Sequence, residues 1–382
     1  LKVLAEMLTH VLIRFRNEEE IIEMREEAIR ASRAKGRFLA NMSHEIRTPL
    51  SGIYNAIYLL QTTNMTIEQK QYINIAQSSI ETLSGIVDDV LDLSKIEAGK
   101  MDVYEEEFDL EHEVVKVMNI QSFFASDKNL DFTLDYDYTL DRAFMGDAQK
   151  VRQILLNLLS NAIKYTDKGA VSVSVKDASD QDGSKVRIDV TDTGIGISES
   201  DRTKLFDMFY QVDSEVSKRY PGTGLGLSIV RQLSVLLGGS VDVRSTPDEG
   251  TTFEVVLPLQ PAEPLAFDHI SGSVVRTLGD PGDVGPAMLT SMGATWTDSV
   301  GHEDILLVGS DIGTVTEKDS DVILMRCCER SDMTENDADL VIKMPISRRM
   351  IDEQVGAFAT DSARQANVDR SDDSGIADIL VV

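Results

Sequence analysis

Four short stretches of this 382-residue chain combine residue types that do chemistry on phosphate groups. The first is SHEIRTPL, Ser43 to Leu50. His44 falls between Met42 and Ile46 of an apolar helical stripe, so it is expected to point away from the buried face. There a neutral imidazole nitrogen is available as a nucleophile. Glu45 adjoins it and is placed to hold or deprotonate the other ring nitrogen, and Thr48 lies one turn onward on the same face. The second stretch is NLLSNAIKYT, Asn157 to Thr166. Asn157 and Asn161 are four apart and share a helical face, with Lys164 and Tyr165 a turn later. Magnesium favours hard oxygen ligands and keeps several waters, so an amide oxygen with phosphate oxygens makes a site for it. The third, DTGIGI, closes a strand: Gly194 and Gly196 let the backbone turn tightly beside a ligand, and Asp192 offers an acceptor to an amino group. The fourth, KRYPGTGLGLSIV, puts Gly222, Gly224 and Gly226 just before an apolar helix, where free backbone N–H groups face phosphate.

Each stretch is ordinary alone. A solitary histidine is usually solvated, an Asn pair is usually surface, and DxGxG occurs in many turns. A dinucleotide-binding turn is the rival for the fourth, but no strand stands immediately before its glycines.

Elements that can position these residues follow from the periodicity. Residues 1–33 carry Leu8, Phe15, Ile22 and Ile29 at seven-residue spacing, one seam of a signalling coiled coil that weakens where Glu18 and Arg25 replace apolar partners. Over 34–102, Leu39, Met42, Ile46, Pro49, Ile53, Ala56 and Leu60 form one stripe, and Ile73, Ala76, Ile80, Leu83, Val87 and Val90 form another after a turn near Asn64. A hairpin cannot bury both stripes alone. Pairing with a second copy makes a four-helix bundle, so a homodimer is the physical expectation. Pro49 removes a backbone donor and should bend the first helix just after His44. Residues 103–262 change character: a helix from about Gln149 to Tyr165 and strand-like runs at 171–175, 186–192, 240–245 and 251–258 predict an α/β sandwich.

On these residues the chain resembles the histidine kinase family over about Ala34 to Leu259, with the ATPase part of the GHKL type. The resemblance implies that His44 is the phosphoacceptor, Glu45 the general base, and Thr48 a residue that positions water for a phosphatase reaction. It implies ATP and Mg2+ as cofactors, with Asn161 ligating the metal and Asn157 contacting ligand or metal nearby. Lys164 then approaches the phosphates, Tyr165 borders the nucleotide, and Asp192 receives the adenine amino group beside Gly194 and Gly196. Arg219, Gly222, Thr223, Gly224, Leu225 and Gly226 match the phosphate-facing lid, with Pro221 in place of a more usual glycine. Phe206 and Phe209 resemble the aromatic box packing the base of that lid, and Gly250, Thr251 and Thr252 the last element of the pocket.

From 266 to 360 strand and helix signals alternate as SVVRTL, AMLTSMGA, ILLV, VILM and LVIKMP, which indicates a small doubly wound domain. It resembles the receiver fold without the receiver's acids. The first strand leads into Arg276, Thr277 and Leu278 with no carboxylate until Asp280. Gly309 stands at the acceptor position with Asp311 two residues late, and Met344 separates Lys343 from Pro345. The expectation is a pseudo-receiver that takes no phosphate and regulates the kinase core by docking or by a small-molecule ligand; a decayed spacer is the plain alternative. Residues 361–376 read as a polar linker, and 377–382, ADILVV, as the start of a truncated further receiver.

Composition excludes several classes. Hydrophobic content of 42% and charged content of 27% fit globular domains. A formal charge of −28, from 37 basic and 65 acidic residues, argues against nucleic acid as a partner. Cys327 and Cys328 are adjacent, a poor disulfide pair and an incomplete zinc site, in keeping with a reducing compartment. No apolar stretch spans a bilayer and no signal peptide is recognisable, so this stretch is expected to be cytoplasmic. It opens without Met, and the missing upstream part could hold membrane segments. The expected function is an ATP-dependent histidine autokinase of a phosphorelay, whose partner is the receiver of a response regulator or of the truncated C-terminal part. The alternatives are a regulatory switch or phosphatase module with little autokinase activity, and a chaperone- or topoisomerase-type ATPase.

Overall fold

The computed structural model describes residues 42, 45–63, 65–181, 183–211, 223–263, 271, 273–278, 286–296, 305–308, 323–328, 340–343 and 347–353. His44, Arg219, Pro221, Gly222, Asp280, Gly309, Asp311 and Met344 lie outside the described residues, as do the expected coiled coil, linker and terminal strand. The chain divides into two compact units, residues 1–103 with 204–236 and residues 104–203 with 237–382.

In the first unit, helix α1 covers residues 45–61 with Pro49 inside it, and α2 is Ile67–Glu97. Thr66 starts α2 by a reciprocal cap: its hydroxyl accepts from Gln69 N at 3.2 Å, and Gln69 Oε1 accepts from Thr66 N at 2.9 Å. Arg47 Nη2 donates to Asp88 Oδ1 at 2.7 Å and Gln61 Nε2 to Gln77 Oε1 at 2.8 Å, tying the helices together. Exposed bonds of this kind contribute at most about 1 kcal/mol each, so apolar burial must set the pairing. The row that the hairpin itself buries on α1 is Leu50 and Ile57; Pro49 and Ala56 of the predicted stripe are exposed. Ile46, Ile53 and Leu60 of the predicted stripe are exposed too. One chain thus covers only the row next to the stripe. Among the described residues, no helix is long and apolar enough to cross a membrane.

The segment 204–211 and helix α6, Gly226–Leu236, complete this unit. Helices α2 and α6 meet around a cleft lined by Ile96, Phe206, Arg231, Val235 and Leu236, with the Arg231 guanidinium 5.8 Å from the Phe206 ring centre.

The second unit is built on a five-stranded sheet. Its elements are β1 Glu106–Asp109, α3 Leu110–Asp127, β2 Asp131–Tyr136, β3 Ala143–Gly146, α4 Ala148–Tyr165, β4 Ala170–Asp177, β5 Val186–Asp192, the short α5 Glu199–Arg202, β6 Ser240–Thr246, β7 Gly250–Leu257 and β8 Gln260–Pro261. The sheet runs β2-β4-β5-β7-β6, with β2 parallel to β4 and every other pair antiparallel. Alternate residues Val171, Val173, Val175 of β4 and Val186, Ile188, Val190 of β5 are buried. So are Ile154, Leu155, Leu158 and Leu159 of α4 and Val114, Val115 and Met118 of α3. Each such aliphatic side chain contributes about 1.5–3 kcal/mol of burial. The predicted helix and four strand runs match α4, β4, β5, β6 and β7 within a few residues. A separate antiparallel ribbon, β1-β3-β8, was not anticipated.

The remaining strands, β9 Val274–Leu278, β10 Thr295–Trp296, β11 Ile305–Val308, β12 Ile323–Cys328 and β13 Leu340–Lys343, form an all-parallel sheet in the order β10-β9-β11-β12-β13. With α7, Pro286–Ser291, this is the order of a doubly wound fold. Helix α8, residues 348–353, bears Arg348, which binds the start of α3. Arg348 Nε donates to Glu111 Oε2 at 2.5 Å and its backbone N to Glu111 Oε1 at 2.9 Å. Its Nη1 reaches Ser291 Oγ at 3.0 Å, and its guanidinium lies 5.7 Å from the Tyr136 ring and 5.3 Å from that of Tyr138.

Asp89 of α2 tests the packing of the helical unit. Burial, then its neighbours Asp92 and Asp88, push its carboxyl up to about 6. A carboxyl raised on folding holds its proton in the folded chain when the unfolded chain has lost it. Stability from α2 should therefore fall as pH rises through the window from about 4 to about 6. Asp89→Asn is expected to raise the Tm near neutral pH by a few degrees and to flatten this dependence, read by circular dichroism melts across that range.

Candidate functional site

Helix α4 carries the first part of the site. Asp147 caps its start, accepting from Lys150 N at 3.0 Å and from Tyr104 N at 3.0 Å while pairing with the Lys150 ammonium. Because Leu155, Leu158, Leu159, Ala162 and Ile163 fill the buried face, Asn157, Asn161, Lys164 and Tyr165 come out half-buried on the other side. Asn157 Nδ2 donates to Gln153 O at 3.1 Å within the helix. Lys164 Nζ sits 4.9 Å from the centre of the Tyr165 ring.

The turn after β5 closes onto the end of α4. Asp192 ends the strand, only 7% exposed, and its Oδ1 accepts from Gly194 N at 2.9 Å. A side chain at Gly194 would put Cβ 2.4 Å from Tyr165 O and 2.9 Å from Asp192 Oδ1, so only glycine fits. Gly196 has φ +63° and backs onto Thr246 O, which a Cβ would meet at 2.0 Å. Thr251 pairs with Asp192 across β5 and β7. Its hydroxyl shares a 2.9 Å hydrogen bond with Ser245 Oγ, which also accepts from Ile197 N at 2.8 Å. The expected residues Tyr165, Asp192, Gly194, Gly196 and Thr251 are thus brought into one cluster.

Burial pushes the Asp192 carboxyl above its ordinary range, against the pull of backbone donors from Gly194 and Thr251. Among the described residues no cation pairs with it. A buried acceptor held only by backbone N–H groups fits a neutral amino donor such as that of adenine. Among the described residues no group of three or more His, Cys, Asp or Glu gathers to hold a metal. Mg2+ held at the Asn161 amide oxygen would draw its other ligands from phosphate and water, as this ion does.

In the helical unit, Thr223, Gly224 and Leu225 lead into Gly226, the first residue of α6. Thr223 Oγ1 accepts from Leu225 N at 3.1 Å, and Gly224 takes φ +70°. The predicted packing of the Phe209 ring is corrected here: the ring is 66% exposed. What packs is the Phe209 backbone, at φ +61°, whose N–H donates to Gly224 O at 3.0 Å. A Cβ on Gly224 would come within 2.9 Å of the Phe209 Cα. Phe206, beneath Arg231, keeps the packing role.

Residues 34–99 match the His Kinase A (phospho-acceptor) domain, and residues 146–261 match the histidine kinase-, DNA gyrase B- and HSP90-like ATPase. The chain thus carries a His Kinase A domain followed by a histidine kinase-like ATPase domain. Among curated histidine kinases and related sensors, it is 40% identical over 241 residues to the sensory/regulatory protein RpfC of Xanthomonas campestris pv. campestris, covering 63% of this chain and 33% of that one. It is 41% identical over 236 residues to the sensor histidine kinase GacS of Pseudomonas protegens, covering 62% of this chain and 26% of the relative. The chain thus spans about a third or less of these relatives' length. Full-length ShkA, solved in complex with AMPPNP, superposes with a TM-score of 0.58 at 25% identity, covering 84% of this chain and 71% of that one.

Within the kinase fold, sequence reasoning passed over Ser245, which knits Ile197 to Thr251, and Lys128, at the end of α3. A serine in a strand carries no signal of its own. Only the pairing of β6 with β7 puts Ser245 against Thr251.

Asp192→Asn separates a ligand-binding role from a structural one. Asparagine keeps the acceptor for Gly194 N and removes a buried charge, so the variant is expected to be at least as stable as the parent. Nucleotide affinity is expected to fall by about tenfold or more, the scale of one charge-assisted hydrogen bond. Thermal melts beside titration with a fluorescent ATP analogue check both.

Proposed function

We propose that this chain is the catalytic core of an ATP-dependent histidine autokinase that works as a homodimer in a phosphorelay. A ring nitrogen of His44 attacks the γ-phosphorus of ATP in line; the N–P bond forms, the bond to the bridging oxygen breaks, and ADP leaves. Glu45, exposed at the start of α1, takes the ring proton. Lys164, Arg219 and the backbone from Gly222 to Gly226 face the phosphates, Asn161 would hold Mg2+ with Asn157 contacting ligand or metal nearby, and Asp192 and Tyr165 seat the base. Mg2+, when bound, supplies charge to the leaving phosphates. The phosphate passes on to a receiver aspartate of a response regulator or of the same polypeptide. The observation that carries this reading is the Asp192 cluster, which offers a buried carboxylate, with no cation paired to it among the described residues, beside the asparagine face of α4. Dimerisation is supported by the exposed stripe of Ile46, Ile53 and Leu60. Purified chain incubated with labelled ATP should gain acid-labile label, and His44→Ala should remove it entirely; label persisting on the variant ends the proposal.

The second part of the reading is that residues 266–360 are a pseudo-receiver that restrains the kinase. Support comes from the Arg348 contact, where Arg348 and Glu111 are 3% and 1% exposed. Burial raises the Glu111 carboxyl even though the charge and hydrogen bonds of Arg348 pull it down. Tyr136 Oη and Arg348 Nη2 are also buried and, among the described residues, without a hydrogen-bond partner. A buried pair of this kind contributes little net stability and instead selects one docking geometry. His112 Nδ1, 3.1 Å from Ser347 Oγ, adds a second point of register. A domain pinned in this way to α3 suits restraint better than relay. Removing residues 263–382 and substituting Arg348→Ala should each raise autophosphorylation several-fold. An unchanged rate on truncation would leave the domain a spacer, and low autokinase activity in every form, with dephosphorylation of a partner receiver, would favour a phosphatase module using the exposed Thr48.

A further inference from the structure

The C-terminus of a helix leaves its last carbonyl groups without partners in the helix ladder. At the end of α4, residues outside the ladder meet every one of them. Thr166 Oγ1 donates to Ala162 O at 2.7 Å, and Ile195 N approaches Tyr165 O at 3.4 Å. The other three belong to a single side chain: Lys128 Nζ donates to Ile163 O at 2.7 Å, Lys164 O at 3.0 Å and Thr166 O at 3.1 Å. An ammonium has three N–H donors, and here each has a carbonyl. Its charge also complements the negative end of the helix dipole.

Lys128 reaches this place because α3 stops there. It is the C-cap of α3, and the next residue, Asn129, takes φ +53°, turning the chain into β2. Its side chain is 21% exposed, with the Asp167 carboxylate 3.9 Å away.

We infer that Lys128 is a positioning residue of the nucleotide site. The carbonyls it holds flank Tyr165, and Tyr165 O is the surface against which Gly194 is seated, at a separation that excludes even a methyl group. Lys164 and Tyr165, which meet the phosphates and the base in the proposed site, therefore take their backbone position from Lys128. The Asp192 turn takes its own from the same carbonyl row. Without the ammonium, water can reach these carbonyls, so the helix end survives but is no longer locked to the turn. The inference rests on the nucleotide reading of the Asp192 cluster.

The test uses the full chain and a fluorescent ATP analogue, at a temperature where circular dichroism shows each variant folded. Lys128→Met, which keeps the stem and removes the donors, is expected to weaken binding about tenfold, the scale of a charge-assisted hydrogen bond. It should raise the KM for ATP more than it lowers kcat, and Lys128→Arg should recover much of the loss. If Lys128→Met does not fold, Lys128→Gln, which keeps two donors, decides by the same measurement. A lowered Tm with unchanged affinity and KM would make Lys128 a structural cap only and overturn the inference. If the parent chain itself binds no nucleotide, the reading of the site falls instead.

Discussion

The carbonyl of Tyr165 and the α-carbon of Gly194 approach so closely that no side chain fits between them, and much of the nucleotide region is organised around that contact. It brings the end of α4 against the turn after β5, so the asparagine face and the Asp192 carboxylate become parts of one surface. A second close approach, at Gly250, where a Cβ would stand 2.0 Å from Asp192 O, fixes the other side of the same turn. Backbone seated against backbone leaves no rotamers to relax. That is how a site made of short polar residues keeps its shape without a large apolar core of its own.

The polar groups in this region are not arranged for stability. Asp192 is buried and raised by desolvation, and among the described residues it has no cation beside it, a state that a purely structural carboxylate would avoid. Asp147 shows the contrast nearby: the Lys150 ammonium and the backbone donors of Tyr104 and Lys150 outweigh its burial and hold it below the usual carboxylate range. Two aspartates of one domain thus sit in opposite surroundings, one given a cation at a helix start and the other, among the described residues, backbone donors alone. The Arg348–Glu111 contact is a third case: the two side chains are buried against each other, yet among the described residues the Tyr136 hydroxyl and one Arg348 nitrogen beside them find no hydrogen-bond partner.

The helical unit shows the limits of pattern. Seven-residue repeats correctly announced two amphipathic helices, but they did not say which of two neighbouring rows the hairpin itself would bury. Leu50 and Ile57 took that place, four residues along from Ile46 and Ile53, because rows only about 40° apart on a helix look alike in a periodicity. Phe209 failed as a packed aromatic for a related reason: its contribution is a backbone at positive φ, and side-chain type says nothing of that.

By itself, the sequence determined which chemistry is present. The histidine with its acid, the paired asparagines, the aspartate before glycines and the glycine run each sit in local patterns that a helix period or a turn dictates. Strands β4, β5, β6 and β7 were legible because alternation survives wherever one sheet face is buried. Only the tertiary structure decided how these pieces meet. That Lys128 closes the end of α4, that Ser245 supports Thr251, and that Arg348 finds Glu111 across 237 residues are contacts between segments whose local sequence is unremarkable. The physical reason is range: secondary structure follows from neighbours within a turn or two, whereas a hydrogen bond between distant segments exists only once apolar burial has set the helices and strands at a fixed separation.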